Sequence, residues 1–149
     1  MYHAVKSDFE KVKEIFYLHK KWFPHVRTDY MKRMIAKKNL ILENDVVITY
    51  NFYKRKQKIG DVQAFKGDCI LHQIVAKTKG TASDVLQRFF KFVNHNPLGR
   101  RVYLSVRSDN EMAKNFYLKN NMKLIGKTSW SKGTLPGDVF VYDPWTYET

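Results

Sequence analysis

Acidic residues are scarce in this chain. Its 149 residues hold 14 Asp and Glu against 27 Lys and Arg, a formal net charge of +13. Such a surface steers polyanions and repels cationic partners. Cysteine is scarcer still. The single Cys69 allows no intrachain disulfide, suits a reducing compartment such as the cytoplasm, and reads as a small strand hydrophobe. Apolar runs are short: none reaches the ~18–20 residues of a membrane-spanning helix, and Met1-Tyr2-His3-Ala4 lacks a signal-peptide pattern, so no membrane is expected as a partner. The five histidines show no H-E-x-x-H spacing, and no metal is expected. Internal repeats, low-complexity tracts and linkers are absent, which leaves one domain over 1–149 with one core.

What is present is concentrated between Ile70 and Ala82. Ile70-Leu71-His72-Gln73-Ile74-Val75-Ala76 is apolar enough for a buried strand, and Lys77-Thr78-Lys79-Gly80-Thr81-Ala82 follows directly. A helical pattern then places Val85, Leu86, Phe89, Phe90 and Val93 on one face. A strand that feeds a basic, glycine-bearing turn opening a helix gathers free N–H groups and the positive end of the helix dipole at one point. Lys77 and Lys79 add full charges there, and the ligand this suits is a diphosphate. A nucleotide-hydrolysing P-loop is excluded, because no Lys-Ser/Thr pair follows a glycine in register. A dinucleotide fingerprint is excluded too, since Gly80 is its one glycine.

A second segment, residues 102–125, alternates Val102, Leu104 and Val106 with Tyr103, Ser105 and Arg107, the period of a strand. Ser108 and Glu111 have capping-box spacing for a helix from about Asp109, with Met112, Ala113, Phe116 and Tyr117 on one face. Asn120-Asn121 tolerates a left-handed exit, and a strand resumes at Met122–Ile125. Elsewhere Ser7-x-x-Glu10 opens a first helix carrying Phe9, Val12, Ile15, Phe16 and Trp22 and ended by Pro24, and Thr28-Asp29 opens a second through Lys38. Asn39 to Tyr53 reads as a hairpin turning at Asn44-Asp45, residues 59–67 as a link, and Asn94 to Arg100 as a turn. Thr128 to Tyr142 reads as a hairpin around Gly133–Gly137. The expected order is β-α-α-β-β-β-α-β-α-β-β, an α/β (α+β) fold with a mixed, mostly antiparallel sheet flanked by helices.

These two segments resemble the GNAT superfamily of acyl-CoA N-acyltransferases. Lys77, Gly80 and Ala82 match its Q/R-x-x-G-x-G/A motif, with Lys in place of Gln/Arg. Leu104, Val106, Asn110, Ala113, Phe116 and Tyr117 match L-x-V-x-x-x-N-x-x-A-x-x-F/L-Y-x-x-x-G-F, with Asn121 and Met122 at its final Gly-Phe. Ala4-Val5-Lys6-Ser7-Asp8 and the helix after it are similar to the family's opening strand and helix. There are departures: the turn after Val75 is about three residues short and lacks the family's proline, and Ser105 stands where some members carry a glutamate base.

The resemblance implies an acetyltransferase using acetyl-CoA (coenzyme A), acting by direct transfer to an amine in a ternary complex. Its pantetheine arm would follow Ile74 and Val75, its diphosphate would sit on Lys77, Thr78, Lys79, Gly80, Thr81 and Ala82, and Asn110 would position helix and cofactor. Tyr117, whose phenol has an ordinary pKa near ~10, is the expected general acid, and His72, near ~6.5, the candidate base. The acceptor is a small-molecule or peptide amine. A monomer and a homodimer are both compatible. The basic runs Lys20-Lys21, Lys37-Lys38, Lys54-Arg55-Lys56-Gln57-Lys58 and Arg100-Arg101 keep a second reading open, a nucleic-acid-facing protein on the same fold that modifies or binds RNA or DNA.

Overall fold

The computed structural model describes residues 1–95 and 100–146. In chain order its elements are α1 (Phe9–Tyr17), α2 (Thr28–Ala36), β1 (Leu40–Glu43), β2 (Val46–Phe52), β3 (Gln57–Ile59), β4 (Val62–Ala64), β5 (Cys69–Ala76), α3 (Ala82–Val93), β6 (Val102–Arg107), α4 (Glu111–Lys119), β7 (Lys123–Trp130) and β8 (Leu135–Tyr142). Strands β1-β2-β5-β6-β8-β7 hydrogen-bond in that order, and β3 pairs with β4 apart from them. The β5–β6 pair is parallel, whereas β1–β2, β6–β8 and β7–β8 are antiparallel, so the sheet is mixed as expected. No helix among the described residues is long and apolar enough to cross a membrane. The chain divides into two compact units, Met1–Tyr50 with His72–Phe89, and Asn51–Leu71 with Phe90–Thr149.

In the first unit, helical spacing puts Val12, Ile15 and Phe16 of α1 and Met31, Met34 and Ile35 of α2 against Leu40, Leu42, Val47 and Val75. Burying each large side chain contributes about 1.5–3 kcal/mol, and this cluster holds the end of β5 in place. Asn44 (φ 49°) and Asp45 (φ 58°) turn the β1–β2 hairpin in the left-handed region, where the two-residue turn needs them. Val85, Leu86 and Phe89 of α3 are all buried, and Phe89 meets Tyr50 edge-on at 5.3 Å. The expected opening strand is reduced to an isolated bridge from His3 to Ile41. The Ser7–Glu10 box does not form, because Asp8 takes its place and accepts from Val5 N at 2.8 Å and Tyr2 Oη at 2.7 Å. Helix α1 ends at Tyr17, so Trp22 lies in the following turn.

In the second unit, β6 and β7 flank β8, and Ala64, Tyr103 and Val141 form a core with Tyr53, Ile59, Val62 and Ile70. Residues 59–67, expected as a link, instead carry the end of β3, the turn and all of β4, so that a hairpin spans residues 57–64. Gly137 lies within β8 rather than in the last hairpin's turn, and a Cβ there would collide with the Trp130 ring. The turn is Ser131-Lys132-Gly133, all at positive φ. Asn121, at φ 68°, makes the left-handed exit from α4. Part of the turn expected at Asn94 to Arg100 lies outside the described residues.

Candidate active site

The basic turn lies in the first unit. Gly80 adopts φ +93° with no heavy atom within 4 Å of where a Cβ would stand, so the backbone there is open to an approaching group. Thr81 Oγ1 donates to Thr78 O at 3.0 Å and closes the turn just before α3 begins at Ala82. Lys77 N donates to Asp45 O at 2.9 Å, which pins the start of the turn to the β1–β2 hairpin. The Lys77 side chain pairs with Glu14 on α1 at 3.2 Å, whereas Lys79 is exposed and has no ion pair among the described residues. The one acid in the first turn of α3, Asp84, is drawn to Arg88 at 3.1 Å. An open glycine, a free lysine and a helix N-terminus are donors that fit a diphosphate. Val75 is buried in the α1–α2 core, so its backbone alone could meet a ligand, while Ile74 is half-buried.

Along β5 the side chains alternate. Gln73 is tied to α2 and β2: its Oε1 accepts from Tyr30 Oη at 2.9 Å and from Thr49 Oγ1, and its N donates to Thr49 Oγ1 at 3.1 Å. Sequence spacing could not relate these three residues, which come from three elements. His72, with the opposite alternation, reaches solvent. Protein around the ring strips water from it and lowers its pKa below the ordinary imidazole value, so the neutral base form prevails near pH 7. At the strand's end, His19 Nε2 is 2.8 Å from Ala76 O and ties the α1–α2 loop to β5.

The second unit carries Asn110 and Tyr117. Asn110, not Ser108, caps α4: its Oδ1 accepts from Ala113 N at 3.2 Å. Ser108 turns instead to Asp138 at 3.0 Å. Tyr117 lies in the second turn of α4, buried to 8% exposure, with its ring 5.7 Å from Phe140 and 5.6 Å from Phe116. Burial raises the pKa of its phenol well above the ordinary value, so it keeps its proton throughout the neutral range. Met112, expected on the same face, is 74% exposed. Beneath α4, Asp138 receives Lys127 Nζ at 2.5 Å and Lys114 Nζ at 3.0 Å, and Lys114 also donates to Ser108 O at 3.1 Å. The Lys127 bond leads in holding the Asp138 carboxyl down at about 2. This knot fixes the strand–helix junction, and the Ser108–Glu111 spacing gave no sign of it.

No protein-family model and no curated protein sequence matches the chain. Solved structures do. Ard1 from Thermoplasma volcanium superposes with a TM-score of 0.72 at 14% identity, covering 94% of this chain and 93% of its own. NAA60 from Arabidopsis thaliana, in complex with acetyl-CoA, gives 0.68 at 15% identity over 95% and 96%. A GNAT-family acetyltransferase from Bacillus cereus gives 0.67 at 17% identity over 94% and 93%. The chain has the GNAT fold. The likeness covers nearly the whole chain. At these identities it establishes architecture and leaves chemistry to the site residues.

Proposed function

We propose that this protein is an acetyl-CoA-dependent N-acetyltransferase that passes the acetyl group directly to an amine acceptor. The observation that carries the reading is the turn at Lys77–Ala82, whose open Gly80, exposed Lys79 and helix N-terminus offer a diphosphate site within a GNAT fold. Lys79, Gly80, Thr81 and Ala82 would hold the diphosphate, with Lys77 joining by exchange from Glu14, and the Ile74–Val75 backbone would lie along the pantetheine. Acetyl-CoA supplies an acyl thioester, whose carbonyl carbon the acceptor nitrogen attacks and whose sulfur leaves as thiolate.

The chain's own groups supply what that exchange needs. Tyr117 is protonated near neutral pH and is the phenol we assign to protonate the leaving thiolate. His72, neutral at pH 7 and open to solvent, can accept the proton the amine loses. Asn110 sets the start of the helix that carries Tyr117. The acetyl-CoA bound to NAA60 and the likeness to the GNAT-family acetyltransferase from Bacillus cereus support this reading. It is tested by incubating the protein with labelled acetyl-CoA and a panel of small amines and peptides with free N-termini. Label transfer to at least one class is expected; no transfer to any, with no burst of free coenzyme A, would contradict it.

A further inference from the structure

We propose that the β3–β4 hairpin and the loop beside it form a docking surface for single-stranded nucleic acid, held through its phosphates and one stacked base. This goes beyond acyl transfer and does not depend on it. The hairpin stands outside the main sheet, yet it is fixed at both ends. At its tip Asp61 N donates to Lys127 O at 3.1 Å, and Lys127 N donates to Asp61 Oδ1 at 2.8 Å. At its base Gly67 N donates to Tyr53 O and Tyr53 N to Asp68 O, both at 2.8 Å. A surface fixed in this way loses little conformational freedom when a ligand binds.

What it presents is one-sided. Lys54, Arg55, Lys56, Lys58 and Lys66 are exposed, and none forms an ion pair among the described residues. The Arg100 guanidinium lies against Gly67, where a Cβ would collide with it. The nearby acids are already committed: Asp68 is buried and accepts from Phe65 N at 2.9 Å, Asp143 pairs with Arg101 at 3.2 Å, and Asp61 holds Lys127 N. Elsewhere Lys11, Lys77, Arg88, Arg101, Arg107, Lys114 and Lys127 do have carboxylate partners. The Gln57↔Ala64 register brings Lys56 beside Phe65, with Nζ 5.9 Å from the ring centre, and Phe65 remains 49% exposed.

A half-exposed phenyl ring with Lys56 beside it, on a hairpin whose exposed cations form no ion pair among the described residues, matches a base with its flanking phosphates. An acidic peptide would satisfy the cations and leave the ring without a stacking partner. The phosphodiester chemistry is shared by RNA and DNA, so both are probes.

The test is fluorescence anisotropy of the full chain with labelled single-stranded RNA and DNA of about a dozen nucleotides, across a range of salt concentrations. Retention of either is expected, with affinity falling as salt rises at a log–log slope of about −3, and a preference between them identifies the sugar. Neutralising three cations together, Lys54→Gln, Lys56→Gln and Lys66→Gln, should flatten that slope by about 2. Phe65→Leu should weaken binding roughly tenfold at every salt concentration with the slope unchanged, and Phe65→Trp should restore or tighten it. Three results would overturn the proposal: no retention of either strand at low salt, an unchanged slope in the triple variant, or displacement of the oligonucleotide by polyglutamate of equal charge.

Discussion

At the residue scale the account rests on two side chains held in opposite electrostatic states. Tyr117 is buried among Phe116 and Phe140, which keeps its proton on. Tyr117→Phe retains the ring and removes that proton. Turnover should fall by roughly 10²–10⁴-fold while coenzyme A affinity stays near that of the unaltered protein. Near-normal turnover by steady-state assay would remove Tyr117 from the chemistry and leave it a packing residue. Asp138 is the opposite case, a carboxylate held charged by Lys127 and Lys114. Its folded pKa, about 2, lies below the unfolded carboxylate value of ~3.9. Its contribution is therefore complete above pH ~4 and is lost as pH falls toward about 2. Asp138→Asn should lower the melting temperature at neutral pH and flatten the melting curve's acid slope between those values. A variant with the same acid slope as the unaltered protein would mean the knot contributes nothing. Sequence reading reached Tyr117 through a motif, but not Asp138, because a carboxylate met by lysines from α4 and β7 is a product of tertiary packing.

At the element scale, what was legible followed from local periodicity and turn chemistry. The spacing of Val85, Leu86, Phe89, Phe90 and Val93 gave α3 with its buried face, and Asn44-Asp45 gave the β1–β2 turn. Where local signals competed, the tertiary context decided. Ser108 had the capping spacing, but Asp138 drew its hydroxyl away and left the cap to Asn110. The glycine-bearing stretch at 59–67 hid a hairpin because its strands span three residues each, too short for an alternation to show. Gly60 explains how so short a hairpin is held: at φ +60°, a Cβ would strike the carbonyl of Lys127 in β7. Gly133, at φ +88°, has open space around it. Gly133→Ala should therefore cost about 1 kcal/mol, from backbone strain alone. Gly60→Ala should cost about 2 kcal/mol or more, a melting-point loss of roughly 4–8 °C. Equal losses in calorimetric melts would show that the hairpin does not dock closely on β7.

At the scale of the whole molecule, the +13 charge has two fates. Among the described residues, carboxylates draw in Lys11, Lys77 and Arg88 in the first unit and Arg101, Arg107, Lys114 and Lys127 in the second. The exposed cations of the β3–β4 hairpin and its flanking loops form no ion pair among the described residues, a distinction composition could not make. The fold was legible because two ordered motifs, with the opening Ala4–Asp8 segment and the helix after it, resemble one family across most of the chain, and the acceptor was not, because no local pattern encodes it. The central claim is that the turn from Lys77 to Ala82 holds the diphosphate of coenzyme A. Calorimetric titration of coenzyme A tests it most directly, using the unaltered protein beside Gly80→Glu, which places a carboxylate in the open turn, and Lys79→Glu, which reverses a charge without straining the backbone at Gly80. Saturable binding that weakens at least tenfold in both variants is the expected result. Affinity unchanged in both, or no binding to the unaltered protein, would contradict the account.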